Sequence, residues 1–317
     1  MSEWRSDPVT GNWTLVADDL PLARRDFVLD GGGRPLDVPC PLCEGREAAA
    51  GHEILAVRHG SAPDGPGWQL RVVPNRVPAL RVEAGTADAH DGLLTHRPGL
   101  GAHEVVIESP HHDRSWFAMT ADELALVLGA WRGRMSDLRH DSRLKAAVAF
   151  KNHGAEAAAR LVHPHSQVIA MPLVPPALVR ELEAARRHHT ATGGCLFCTD
   201  RPGARGRRAG DWRGGRVPRT GAVCLADAVL EAWLLAGGGG TLGALDRRRR
   251  RTWPAWRPCC TGCSPAWPGS WNTRPSNAVL HSAPFDEPAG WRLSLAPGGR
   301  RGCCGRLMPS TSAPGCR

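Results

Sequence analysis

The sequence predicts an α+β protein in which helices pack across an antiparallel sheet. Three observations carry the prediction. Short runs rich in Val, Ile or Trp recur between turn-forming stretches, as strands do. One long segment keeps helical apolar spacing behind a matched capping pair. A polar pentad, His163-Pro164-His165-Ser166-Gln167, sits at the head of another strand-forming run.

Taken in chain order, the first strand is expected at residues 13–17, and the glycines at 31–33 form a loop. No Lys-Ser or Lys-Thr follows those glycines, so they are not a phosphate-binding P-loop. Strands are expected at 69–73 and 103–108. A helix opens at Thr120, where Thr-Ala-Asp-Glu pairs the cap with Glu123, and Leu124, Val127, Leu128, Trp131, Met135 and Leu138 form its apolar stripe. Further strands are expected at 146–150 and 167–173. A last helix runs from Pro176, a favoured first-turn residue, to about residue 188.

The pentad suggests chemistry. Side chains two apart on an extended chain share a face, so His163, His165 and Gln167 converge while Pro164 and Ser166 turn away. A neutral imidazole is a good nucleophile and holds a transferred group covalently, dividing one hard displacement into two easier ones. Gln167 is placed to donate a hydrogen bond to a phosphate oxygen as charge develops. Transfer of a nucleotidyl group from an activated phosphate suits such a face.

The stretch Phe150-Lys151-Asn152-His153-Gly154, followed by the pentad, resembles the active-site segment of the galactose-1-phosphate uridylyltransferase family within the histidine-triad superfamily. Four further segments agree in order: Asp7-Pro8-Val9-Thr10-Gly11-Asn12-Trp13, Cys40-Pro41-Leu42-Cys43, residues 73–80 and residues 101–110. The resemblance covers residues 1–200. It implies a histidine-triad-like antiparallel sheet with packed helices, in two related repeats, and a homodimer.

The resemblance also implies a function: UMP passes between UDP-glucose and galactose 1-phosphate through a covalent nucleotidyl-histidine intermediate on His165. Asn75 and Arg76 match the family's nucleotide-contacting pair, and Asn152 matches a residue near the nucleotide or its phosphates. An ADP-sugar phosphorylase or adenylyltransferase of the same superfamily is the alternative, because the base is not legible in these motifs. Arg160 departs from the family, which has a small serine there; its guanidinium either binds phosphate or fills the pocket.

Cys40 and Cys43 have the C-x2-C spacing of a thiolate pair, and zinc in structural sites takes four N or S ligands. By position in the family's motifs, His112 and His163 complete the set, although spacing alone does not separate His112 from His111. The expected cofactor is therefore Zn(2+), fixing the strand that bears His165. Glu181 and His281 match a second metal position that some members carry. Leu293-Ser294-Leu295 stand where its His-x-His pair belongs, so no second metal is expected.

Charge and composition divide the chain. Residues 1–200 carry 21 basic and 25 acidic side chains, and residues 201–317 carry 19 and 6, so the whole net charge of +9 comes from the tail. That tail holds seven of the twelve Trp, seven of the eleven Cys and no Lys. A basic nucleic-acid-binding arm is one reading of its arginines. Disorder is a second, but disordered segments are poor in aromatics. The bias toward Arg, Gly, Pro, Trp and Cys fits a third, GC-rich codons read out of frame. On that reading the frame is lost shortly after Asp200, regained near Asn277, where residues 277–292 again resemble the family, and lost after Arg292. Residues 1–190 are accordingly expected to be the catalytic domain and 191–317 the remnant of the second repeat, beginning near Cys195 and Cys198, which echo the first cysteine pair. An inactive product, or a basic zinc-containing nucleic-acid binder, is the rival from another class.

No apolar run approaches the ~18–20 residues of a membrane span, and no apolar segment follows the first residues as in a signal peptide. The expectation is a cytoplasmic enzyme with reduced thiols, acting on a UDP-sugar and a sugar 1-phosphate.

Overall fold

The computed structural model describes residues 2–17, 40–116, 118–154, 157–194, 196 and 275–287, with 222–227, 229–235 and 291–297 as backbone. The glycines at 31–33, the echoing Cys195 and Cys198, the arginine run at 247–251 and the cysteines at 259–263 lie outside the described residues.

Two antiparallel sheets organise the described residues. The smaller joins β1 (Glu3–Ser6), β2 (Trp13–Val16), β5 (Ala89–Asp91) and β6 (Leu94–Pro98) in the order β2-β1-β6-β5. The larger has nine strands. It contains β3 (Leu55–Arg58), β4 (Trp68–Pro74), β7 (Ala102–Ile107), β8 (Ala146–His153), β9 (His165–Met171), β10 (Ala222–Asp227), β11 (Val229–Leu235), β12 (Ser276–Ser282) and β13 (Trp291–Pro297). Their order is β10-β11-β13-β12-β8-β9-β7-β4-β3.

Four of the five expected strands lie side by side in the large sheet. The strand at 13–17 does not join them. It pairs with β1, which is itself held by β6, so it belongs to the small sheet. Trp4 of β1 still packs on the large sheet, in a cluster with Leu80, Ala146 and Met171. Chain closeness of β2 and β1 decided the pairing, and periodicity along one strand carries no information about its partner.

Helix α2 (Ala121–Leu138) crosses one face of the large sheet. Its cap is built as expected: Thr120 Oγ1 accepts from the Glu123 N–H at 3.3 Å, and Glu123 Oε2 accepts from the Thr120 N–H at 2.6 Å. Val127, Trp131 and Met135 meet the inward residues Ala102, Val106, Val168, Ala170, Ala278 and Leu280 in the main core. Two polar ties cross the same interface. Trp131 Nε1–H donates to Ser166 Oγ at 2.7 Å, and Arg134 makes a bidentate pair with Glu104 at 2.7 and 2.8 Å. Helix α3 (Pro176–Thr192) runs four residues past the expected end and stops at Gly193, which takes the left-handed conformation (φ 68°) that glycine adopts without strain.

Period-2 alternation then settles the other face. Because Ser166, Val168 and Ala170 point at α2, His165, Gln167 and Ile169 point away from it. Close backbone approach at Gly101 (φ 152°) sets β7 against β9, since a Cβ there would lie 2.3 Å from the Ala170 carbonyl oxygen. The sheet also crosses the compositional boundary at residue 200. Strand β12, from the tail, pairs with β8 in register Asn277↔Asn152, and β13, β11 and β10 continue outward from it.

Candidate active site and metal centre

The site lies on the face of β7, β8 and β9 opposite α2. In the antiparallel register His165 stands opposite Ile107, and Gln167 stands between Val105 and Phe150. His165 Nδ1 lies 2.8 Å from the His163 carbonyl oxygen. A carbonyl only accepts, so Nδ1 carries the proton and Nε2 keeps its lone pair. Burial pushes the His165 pKa below its ordinary value, which holds the ring neutral near pH 7. The arrangement presents one nucleophilic nitrogen in a fixed tautomer.

Behind the strand lies a buried ion pair. Lys151 of β8 donates to Glu108 Oε2 at 2.5 Å and to the His165 carbonyl oxygen at 3.1 Å. Trp116 Nε1–H donates to the same Glu108 oxygen at 2.9 Å, and the ammonium sits 5.3 Å from the Trp116 ring centre. Glu108 Oε1 has no hydrogen-bond partner among the described residues. One cation therefore both neutralises a buried carboxylate and ties down the backbone of the candidate nucleophile.

Cys40, Cys43, His112 and His163 come together although they span more than 120 residues of chain. Their ligand atoms all lie within 4.8 Å of one another. Cys43 Sγ is 3.3 Å from His112 Nδ1 and 3.6 Å from His163 Nδ1. Those separations match the edges of a tetrahedron with metal–ligand bonds of roughly 2.0–2.3 Å. His163 Nε2–H donates to the Ser109 carbonyl at 2.8 Å, which leaves Nδ1 free to ligate and supplies the outer-shell bond that metal-bound histidines carry. Between the neighbours His111 and His112, the geometry selects His112. Burial, then the adjacent Cys40, raises the Cys43 thiol pKa, and burial lowers that of His163 to about 4. A divalent cation reverses the thiol shift by favouring thiolate. The group is thus fit to hold a metal ion.

The substrate-contact candidates divide. Asn75, just past β4, receives the Val77 N–H on Oδ1 at 3.0 Å and brings Nδ2 to 3.0 Å from His103 Nε2. Asn152 Oδ1 accepts from Asn277 Nδ2 at 2.8 Å, and the same Asn277 amide reaches the Ala157 carbonyl at 3.2 Å. Gly154 (φ 84°) turns the chain directly after that strand, within 3.0 Å of Pro275 for any added Cβ. Arg76 bonds to the Ala49 carbonyl at 2.7 Å, at the end of α1 (Glu47–Ala50) beside the cysteine pair. Sequence reasoning did not single out Lys151, Glu108, His103 or Asn277. All four lie inside segments that carry the family resemblance, but no partner or task was legible for them there. At the far end of the site face, His281 Nδ1 lies 3.9 Å from Glu181 Oε1.

Residues 71–175 match the family model of the galactose-1-phosphate uridyl transferase N-terminal domain. An ADP-glucose phosphorylase of Arabidopsis thaliana is 33% identical over 201 residues, 62% of this chain and 56% of the relative. A galactose-1-phosphate uridylyltransferase of Streptomyces lividans is 30% identical over 197 residues, 61% of this chain and 44% of the relative. The chain spans about half the length of the curated relatives it matches. Among solved structures, the Arabidopsis ADP-glucose phosphorylase with bound ADP-glucose shares the fold at 23% identity and a TM-score of 0.63, covering 94% of this chain and 89% of that one. A uridylyltransferase structure does so at 20% identity and 0.63, covering 92% and 85%. No helix among the described residues is long and apolar enough to cross a membrane.

Proposed function

We propose that this chain, whose residues 71–175 match the galactose-1-phosphate uridyl transferase N-terminal domain model, is a member of that family and transfers a nucleotidyl group from a nucleoside diphosphate sugar by way of His165. The observation that carries the reading is the His165 ring, held by Nδ1 on the His163 carbonyl with Nε2 left as the nucleophile. The Nε2 lone pair forms a bond to the α-phosphorus while the bond to the bridging oxygen breaks and sugar 1-phosphate leaves. In the second half, an oxygen of the acceptor phosphate attacks the same phosphorus and the P–N bond breaks. A sugar phosphate is already a good leaving group, so positioning and charge stabilisation dominate. Gln167 donates to the phosphoryl oxygens, and Asn75, Arg76 and Asn152 contact the nucleotide.

The first reading of the donor is UDP-glucose, with galactose 1-phosphate as acceptor. A second, ADP-sugar phosphorolysis, is supported by the 33% identity with the Arabidopsis ADP-glucose phosphorylase. Incubation with UDP-glucose or ADP-glucose followed by intact-mass measurement separates them. A uridylyl adduct supports the first, an adenylyl adduct the second, and either adduct must vanish in His165→Ala. No adduct with either donor rules out the mechanism.

Zinc is the metal we propose for Cys40, Cys43, His112 and His163, because two thiolates and two imidazoles form its usual structural set. It would supply an anchor for the segment that leads into β9. We propose further that residues 191–317 are the remnant of a second repeat read largely out of frame. Sequencing the encoding DNA from codon 190 and translating all three frames tests this: a continuous open frame for the sequence as written defeats it. Pairing of two chains, implied by the family, is checked by sedimentation.

A further inference from the structure

His103 of β7 is the best-connected side chain on the site face that the mechanism above leaves without a task. It reaches diagonally across the β7–β9 ladder, and its Nε2 lies 2.6 Å from Gln167 Oε1. Its other nitrogen, Nδ1, accepts the Ala79 backbone N–H at 3.0 Å. A backbone N–H is a donor and nothing else, so Nδ1 is the bare nitrogen and Nε2 carries the proton. The 2.6 Å contact is therefore a donation from His103 to the amide oxygen of Gln167.

This direction matters because a glutamine amide has two chemically opposite ends of nearly identical shape. Phosphoryl oxygens are acceptors, so a Gln that stabilises them must offer its NH2 group. The opposite rotamer would set a carbonyl oxygen against the developing charge. We propose that His103 is the positioning residue that selects the NH2-outward orientation of Gln167. The Ala79 N–H fixes the tautomer, the tautomer fixes the amide, and the amide is left as a pure donor toward the phosphoryl group on His165. Asn75, whose Oδ1 takes the Val77 N–H, faces the same Nε2 with its Nδ2 at 3.0 Å as donor against donor, a contact that the tautomer set by Ala79 and Gln167 leaves without a hydrogen bond. It presents no oxygen that could compete with Gln167 for the imidazole proton. Burial lowers the His103 pKa and keeps the ring in the neutral form this scheme needs.

The inference rests on the nucleotidyl-transfer reading of His165, and a double-mutant cycle tests it. The rate of nucleotidyl-enzyme formation is measured by intact mass for the full chain, His103→Phe, Gln167→Ala and the double variant, with UDP-glucose and ADP-glucose as donors. His103→Phe keeps a planar ring and removes the donor. It is expected to slow formation by about tenfold or more, approaching the loss in Gln167→Ala, since one donor to a developing oxyanion is worth about 10²–10³ in rate. In the Gln167→Ala background the same change is expected to cost less than about twofold, because the group it positions is gone. His103→Gln, whose amide nitrogen replaces Nε2 as donor, is expected to recover much of the rate. Equal losses in both backgrounds, or equal losses in the Phe and Gln variants, would mean a purely structural role and overturn the proposal. A wild-type chain that forms no adduct instead overturns the transfer reading, and this role with it.

Discussion

Lys151→Met should unsettle both the fold and the candidate nucleophile. The Lys151 and Glu108 side chains are 6% and 0% exposed, so the substitution strands a carboxylate where water does not reach it. Only the Trp116 N–H would still serve Glu108, since its Oε1 is without a partner already. Breaking a buried pair from one side costs about 3–5 kcal/mol. Loss of the charged hydrogen bond to the His165 carbonyl belongs to the same order, about 1.5–3 kcal/mol for such a bond. The two overlap, so about 3–5 kcal/mol is the expected total. Urea denaturation followed by tryptophan fluorescence measures it. The double variant Lys151→Met/Glu108→Gln removes the stranded charge and should recover a good part of the stability. It should not recover the rate of adduct formation, because the His165 carbonyl still lacks its donor. A single variant that loses less than about 1 kcal/mol, or a double variant less stable than the single, would refute the argument.

Three further outcomes are expected. If the proposed zinc occupies the Cys/His group, Cys43→Ser should lower the metal content of purified protein, measured by elemental analysis, from about one ion per chain toward none and reduce the thermal midpoint, since folding and metal binding are linked. Trp131→Ala removes a fully buried indole and the donor to Ser166 Oγ, and should cost about 3–5 kcal/mol in denaturant titration. For His103 the sign follows from its depressed pKa. The folded ring resists protonation and the unfolded ring does not, so its stability contribution is complete above about pH 6.5 and is lost as pH falls toward the folded value. Its side-chain neighbours Gln167 and Asn75 are uncharged, so no carboxylate partner opposes the effect of burial. Urea midpoints of metal-loaded protein between about pH 7 and about pH 5 should fall less steeply for His103→Phe than for wild type.

Helix α2 shows how much a local pattern can carry. Its cap and its stripe were both legible, because each depends on residues within four positions of one another. Strand β8 shows the limit. It was expected to end at Phe150 and runs on to His153, because tail strand β12 pairs along it and supplies hydrogen-bond partners that the local sequence does not announce. Strand β2 is the converse case, with its residues identified and its sheet misassigned. The pentad was expected to be extended throughout, but β9 begins at His165, so the alternation holds from His165 on while His163 joins the cysteine pair, and the burial of Ser166 under Trp131 that enforces the facing depends on α2 lying where it does.

The sequence by itself determined the two long helices, five of the nine strands in the first two hundred residues, the cysteine pair and the motif around His165, while the short helix α1 and strands β1, β3, β5 and β6 went unread. The features it determined follow from side-chain period, capping chemistry and short spacing. Tertiary structure alone decided which distant residues meet: His112 rather than His111 beside Cys43, His103 on Gln167, Lys151 under His165 and Asn277 against Asn152. Such meetings depend on strand order and register, which are selected by the burial of whole faces and by the need to pair every buried polar group. No window of local sequence contains that information.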